Sequence, residues 1–329
     1  MKRIAIICVI LCTPLLINAQ TQIPTLDDLD HEIAMSSQYD KQYEDVIRSV
    51  KKQLHAAKTL EARCELSDKL FNLYTSYSVD SAIVYAMEKQ KIAKAMGNQS
   101  KVNDAKLNLA YLLIRGGELK DASDIINSIP RSGINQDLSF YYFSTRKTLY
   151  RTLADAALIP SQRKMYKQME KLCNDSVVDN NQSPDIWSRA EQLVNRQQYE
   201  QAKKILLDAY HHLKPGDRQT AFVSISLADI YGREKNVEAQ KQYLIAAAIS
   251  DIRNSVKEYL ALQQLAMILF EEGDTKRAYA YMDHAMNDAV FCNARQRTIA
   301  MADVWPAIEK SHERETKSRT LRLTAIIVV

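Results

Sequence analysis

A chain of 329 residues with only 7 glycines and 7 prolines has few places where its backbone can reverse sharply. Average usage would supply roughly 23 glycines and 16 prolines. Glycine provides most positive-φ positions, so sandwiches, barrels and doubly wound sheets, which need many tight turns, are excluded. Long helices with short connections meet the restriction. Hydrophobic residues at 46% and charged residues at 26% are the balance of a folded protein, so those helices have a core to build.

From Thr25 onward the apolar spacing is helical with little interruption. The pattern predicts a short helix over 26–34 and a longer one over 39–57, with Tyr43, Val46 or Ile47, Val50 and Leu54 on one face. Further helices are expected near 59–76, 80–96, 100–115, 119–129, 137–157, 161–175, 184–196, 199–213, 218–233, 237–254, 255–272, 275–291 and 296–311. Ser183-Pro184 reads as an N-cap followed by proline at the first helical position. Gly273-Asp274 closes one helix and caps the next.

These helices repeat in pairs. Ala110 and Ala122 are twelve residues apart, as are Ala190 and Ala202, and Ala266 and Ala278. A small residue on each helix of a pair lets the two approach closely, which is the spacing of a tetratricopeptide unit. Leu113, Leu193 and Leu269 follow the first alanine by three residues, and Gly117, Gln197 and Gly273 follow it by seven, at the turn. Ala228 opens a fourth unit in which Gln240 replaces the second alanine. Ala190, Ala228 and Ala266 define a pitch of 38 residues, slightly above the usual 34 or so. The register is poor over 130–183. The expected fold is all-α: a solenoid of helix pairs with atypical capping hairpins over 20–98, repeats over 99–311 and one concave groove.

Lys2 and Arg3, the apolar run Ile4 to Ile17 and Asn18-Ala19 read as a secretory signal over 1–19. Its loss lowers the formal net charge from +4 to +2, leaving no electrostatic case for nucleic-acid contact by this portion. Cys64, Cys173 and Cys292 remain, too few and too widely spaced for a disulfide framework or a metal site. At the other end, a charged juxtamembrane segment over 312–322 precedes Leu323 to Val329, apolar apart from Thr324. That run is expected to be the start of a transmembrane helix, truncated at Val329. Lys317, Arg319 and Arg322 lie on its outer side, against the usual positive-inside bias.

Nothing in the chain assembles a catalytic centre, so a non-enzymatic protein without cofactor or metal is expected. His31-Glu32 starts like a zinc-protease helix, but Met35 stands where the second histidine belongs. His211 and His212 are adjacent and diverge on a helix. Asp27, Asp28 and Asp30 crowd a helix start, where carboxylates favour the dipole. Phe140-Tyr141-Tyr142-Phe143 allows two readings: all-round packing of a buried helix, or a groove wall carrying Tyr141 and Tyr142. Trp187 and Trp305 are expected in the core.

The segment Tyr243 to Ile252 resembles a hallmark stretch of a poorly characterised bacterial family. So do Glu272-Gly273-Asp274 with Arg277-Ala278-Tyr279, Asp288-Ala289 with Asn293-Ala294-Arg295, and Asp80-Ser81-Ala82 with Tyr85-Ala86. The resemblance covers most of residues 25–310. It implies a signal peptide, tetratricopeptide-like periplasmic helices, one transmembrane helix and a cytoplasmic transcriptional output in Gram-negative bacteria, in some members associated with polysaccharide utilisation. The expectation is therefore a sensor in the inner membrane with residues 20–322 periplasmic. It would bind a protein or small-molecule ligand, a glycan among them, and a homodimer is one arrangement open to it. The alternative is a periplasmic scaffold or adaptor without signalling output.

Overall fold

The computed structural model describes residues 24–179, 186–213, 216–258 and 260–328, and among them no strand occurs. The signal segment 1–19 and the Ser183-Pro184 cap lie outside the described residues, as does the side chain of Trp187. A long helix, α1 (Leu26–Ala56), precedes three pairs: α2 (Leu60–Tyr74) with α3 (Val79–Ala95), α4 (Gln99–Gly116) with α5 (Leu119–Asn127), and α6 (Gln136–Ala156) with α7 (Pro160–Asp179). Three more pairs follow: α8 (Ile186–Asn195) with α9 (Tyr199–His212), α10 (Arg218–Arg233) with α11 (Val237–Arg253), and α12 (Leu260–Glu272) with α13 (Thr275–Cys292). Helices α14 (Arg295–Ala302) and α15 (Trp305–Val328) close the chain. Second helices pack on the first helix of the next pair, α3 on α4, α5 on α6, α9 on α10, α11 on α12 and α13 on α14.

Local chemistry fixes the boundaries. Thr59, Asn98, Asn135, Asp217, Asn236 and Asp274 each cap a helix by accepting a first-turn backbone N–H, satisfying a donor the helix leaves open. The turn position seven residues after each first alanine is left-handed in all four units: Gly117 (φ 83°), Gln197 (φ 59°), Lys235 (φ 59°) and Gly273 (φ 88°). Where the residue is Gln or Lys the conformation costs about 1–2 kcal/mol, which the packed pairs on either side offset.

The alanine register is the packing seam. Ala110, Ala122, Ala202, Ala228, Ala266 and Ala278 are fully buried, and Ala190 is 1% exposed. In the unit where Gln240 replaces the second alanine, Gly232 makes the room. A Cβ built on Gly232 would sit 2.7 Å from the Gln240 side-chain nitrogen.

Three boundaries differ from the sequence pattern. The helices expected over 26–34 and 39–57 are one helix, α1, because Met35-Ser36-Ser37-Gln38 contains no residue that stops a helix. The helix expected over 255–272 starts at Leu260, after a left-handed Ser255 (φ 51°). The segment expected to be a separate juxtamembrane stretch over 312–322 is the middle of α15, which begins at Trp305 and runs to Val328. Among the described residues no helix is long and apolar enough to cross a membrane.

The largest departure is α1. An open solenoid would leave it against α2 alone, but it also packs along α11. Leu29, Ile47 and Val50 join a core that includes Leu244, Leu262, Leu265 and Tyr281. Arg277 bridges Asp27 and Asp30, Arg253 pairs with the buried Glu32, and Lys257, 4% exposed, sits between Asp40 at 2.6 Å and Asp288 at 3.2 Å. The α2–α3 and α11–α12 connections also meet, with the Lys257 N–H donating to the Ser76 carbonyl at 2.7 Å. The N-terminal helix thus ties the first pair to the last ones.

Candidate functional site

The first helices of successive pairs share one face, and on α2, α4 and α6 that face forms a pocket of about 380 Å³. Its wall is Asp68, Phe71, Asn72 and Thr75 at and just past the end of α2, Asp104, Asn108 and Tyr111 on α4, and Tyr141 on α6. The acids are partly neutralised from behind, since Lys89 on α3 pairs with both Asp68 and Asp104. Burial opposes the Lys89 charge, yet the two carboxylates outweigh it and raise its pKa.

Among the described residues the Tyr111 and Tyr141 hydroxyls and the Asn108 carboxamide have no hydrogen-bond partner, the last on a residue 3% exposed. Open to the pocket and not engaged within the fold, these three groups suit a ligand that brings donors and acceptors. Burial, then the neighbouring Tyr111, Asp104 and Asp68, hold the Tyr141 phenol protonated far above its ordinary value, so it faces the pocket as a neutral donor.

The pocket is wired to the far end of the stack. The Arg115 guanidinium lies 5.4 Å from the Tyr111 ring centre, pairs with Glu258 and donates to the Thr75 carbonyl at 2.7 Å. Burial opposes its charge, but Glu258 and Tyr111 prevail and its pKa is raised. Glu258 adjoins Lys257, whose partner Asp288 is on α13, and α13 carries α15. There Tyr279 stacks on His312 at 4.1 Å and on Trp305 at 5.3 Å.

The aromatic run therefore divides. Tyr141 lines the pocket, whereas Tyr142 is 3% exposed, packs with Ile126 and Leu149, and accepts a 2.6 Å hydrogen bond from Arg146. Tyr142 is thus a core residue and not part of a groove wall. Trp305 is half-buried against Tyr279. Asp68, Asn72, Asp104 and Asn108 escaped the sequence reading because the alanine register marks where helices touch, not which polar residues face the shared groove, and α2 lies ahead of the first alanine pair. Their signal is an Asp and an Asn recurring at the same places on two consecutive first helices.

A larger cavity, about 540 Å³, opens on the outside between the end of α1 and α2–α3, rimmed by Lys51, His55, Arg63 and Glu88. Arg63 is already paired with Glu88 at 3.3 Å, and the cavity lies away from the face shared by first helices. Among the described residues no group of His, Cys, Asp and Glu could hold a metal ion. His31 is exposed beside the Arg253-paired Glu32, and His212 hydrogen-bonds the Asp208 carbonyl at 2.7 Å. Cys64, Cys173 and Cys292 are free and buried, and burial pushes the Cys292 thiol up to about 12.

Helix pairs in this register, stacked through small residues and sharing one face lined by polar and aromatic side chains, define a tetratricopeptide (TPR) domain, a class that mediates protein interactions. The chain belongs to the family of the SusR N-terminal TPR domain, whose family model matches residues 33–303. No curated protein matches the chain.

Proposed function

We propose that this domain is the periplasmic sensor of a single-pass, inner-membrane transcriptional regulator, and that the α2–α4–α6 pocket receives its signal. The observation that carries the reading is the pocket's unpartnered Asn108, Tyr111 and Tyr141 polar groups, joined through Arg115 and Glu258 to the helices that hold α15. Three further points support it. The family is described as the N-terminal TPR domain of SusR, which suits an input role at the start of a longer protein. The signal-like segment over 1–19 suits export. The helix α15 leads away from the stack toward the apolar residues 323–329.

The ligand is a protein segment or a small polar molecule, and a glycan fits an aromatic and carboxamide wall of this size. Its hydroxyls would pair with Asn108, Tyr111 and Tyr141 while Phe71 covers an apolar face. Filling the pocket would move Tyr111 against Arg115 and bias the Arg115–Glu258 contact, so the signal is a shift between two packings of the α11–α12 connection.

The test is a transcript profile of cells carrying the wild-type gene, its deletion, or a chromosomal Asn108→Ala/Tyr141→Ala version. The account expects the deletion and the pocket variant to change the same set of transcripts, with the variant protein present at wild-type level. A deletion that changes no transcripts removes regulation and leaves the scaffold reading.

A further inference from the structure

The second helix α7 stands apart from its equivalents. Helices α3, α5, α9, α11 and α13 each carry the first helix of the next pair; among the described residues α8 instead reaches the α6–α7 pair through ion pairs, Lys147 with Glu191 and Arg151 with both Glu170 and Glu191, without close packing along α7. One side of α7 is anchored to α6. Tyr166 stacks on Tyr150 at 6.5 Å, Glu170 accepts a 2.8 Å hydrogen bond from Arg151, and Cys173 is buried. The flank about 100° round the helix from that anchor bears Met165, Met169 and Leu172, at helical spacing and 48%, 37% and 62% exposed. Leu158 and Ile159, at the turn into α7, extend the stripe and are 93% and 52% exposed. Among the described residues no helix covers this stripe, and an exposed apolar patch of this kind is suited to an interaction.

Charge narrows what can fill it. Lys164 and Lys171 lie about 110–130° round the helix from the middle of the stripe, on the side away from α6, with Lys167 beyond them; all are exposed and none is in an ion pair among the described residues. Of the acids of this helix whose side chains are described, Glu170 is committed to Arg151 and Asp175 stands on the lysine side. A second copy of α7 would bring like charges together. We propose that α7 docks an amphipathic helix from another protein, apolar where it meets Met165, Met169 and Leu172 and acidic where it meets Lys164 and Lys171. The two methionines suit such a helix, because an unbranched thioether side chain adapts to the groups laid on it.

The test uses the full chain and two synthetic amphipathic peptides of about 20 residues, long enough to hold a helix. Both carry the same leucine face; one has glutamates along its border and the other lysines. The expected result is binding of the acidic peptide at least about tenfold tighter than the basic one, a difference of about 1.4 kcal/mol. Met169→Asp/Leu172→Asp should abolish binding, and Lys164→Glu/Lys171→Glu should reverse the preference. These positions are exposed, and a circular dichroism melt of each variant checks that the fold is kept, with Leu172→Gln as the milder replacement. Equal binding of both peptides, binding of neither, binding only to phosphatidylglycerol vesicles, or self-association through this face would each overturn the proposal.

Discussion

Helices α11 and α7 occupy equivalent places in their pairs and meet opposite fates. Every residue of α11 from Leu244 to Ser250 is buried, because α10 and α12 take two sides and α1 lies along a third. Helix α7 has α6 on one side, and on the flank next to it a stripe of Met165, Met169 and Leu172 that stays exposed among the described residues. Their compositions follow. The α11 stretch is Leu-Ile-Ala-Ala-Ala-Ile-Ser, small and uncharged, whereas α7 mixes methionines with lysines. A solenoid helix without a polar side therefore signals an extra layer, here supplied by α1. One with an exposed apolar stripe signals a layer still to come.

The comparison can be broken most severely at Lys257, where α1 meets the α11–α12 connection. Lys257→Ala leaves Asp40 and Asp288 facing each other without their cation and should cost about 3–5 kcal/mol in denaturant melts. Lys167→Ala on α7 should stay within about 0.5 kcal/mol. Next comes Leu244→Ala, which empties a fully buried site on α11 and should cost about 2–5 kcal/mol, against little change for Leu172→Ala. Equal losses at the two helices would show that α11 is no better covered than α7.

All-round burial also leaves a pH signature. Burial, and then the neighbouring Glu258, push the Asp251 carboxyl at the end of α11 up to about 7, from an ordinary 3.8. Between those values the folded protein holds a proton that the unfolded chain has released, so stability falls as pH rises from 3.8 to 7 and is level above. Asp251→Asn removes this fall. Urea melts across the window should show the variant gaining on the wild type as pH rises, and parallel curves would contradict the assignment.

The smallest effect sharpens the picture of the stack itself. Lys203 pairs with Glu200 and Glu234, and Lys241 repeats the arrangement one unit on with Glu238 and Glu272. Lys241→Ala should cost about 0.2–1 kcal/mol in a thermal melt, since these pairs are partly solvated. The next position in that register is Tyr279, where the partner is no longer a first helix but Trp305 and His312 of the closing helices.

The repeat register was legible in the sequence because it rests on size. Ala110, Ala122, Ala190, Ala202, Ala228, Ala266 and Ala278 are small where two helices touch, and the same spacing located the left-handed turns. Contacts across the closed stack were not legible. Glu32 and Arg253, or Asp27 and Arg277, are separated by most of the chain, and no local pattern announces such pairs. Asp27 and Asp30 read as charges favouring a helix dipole, yet they serve Arg277; only Asp28 stays local, completing a capping box with Thr25. Tyr141 and Tyr142 could not be separated by composition, because the divide depends on a rotation of about 100° between consecutive helical positions.

That α1 forms the outer layer of the C-terminal pairs is the claim on which the rest depends, and hydrogen exchange on the full chain tests it directly. The account predicts that the amides of α1 from Leu29 to Val50 and those of α11 exchange slowly and together, and that Lys257→Ala speeds both to the same degree. Free exchange along α1 with α11 still protected would contradict it.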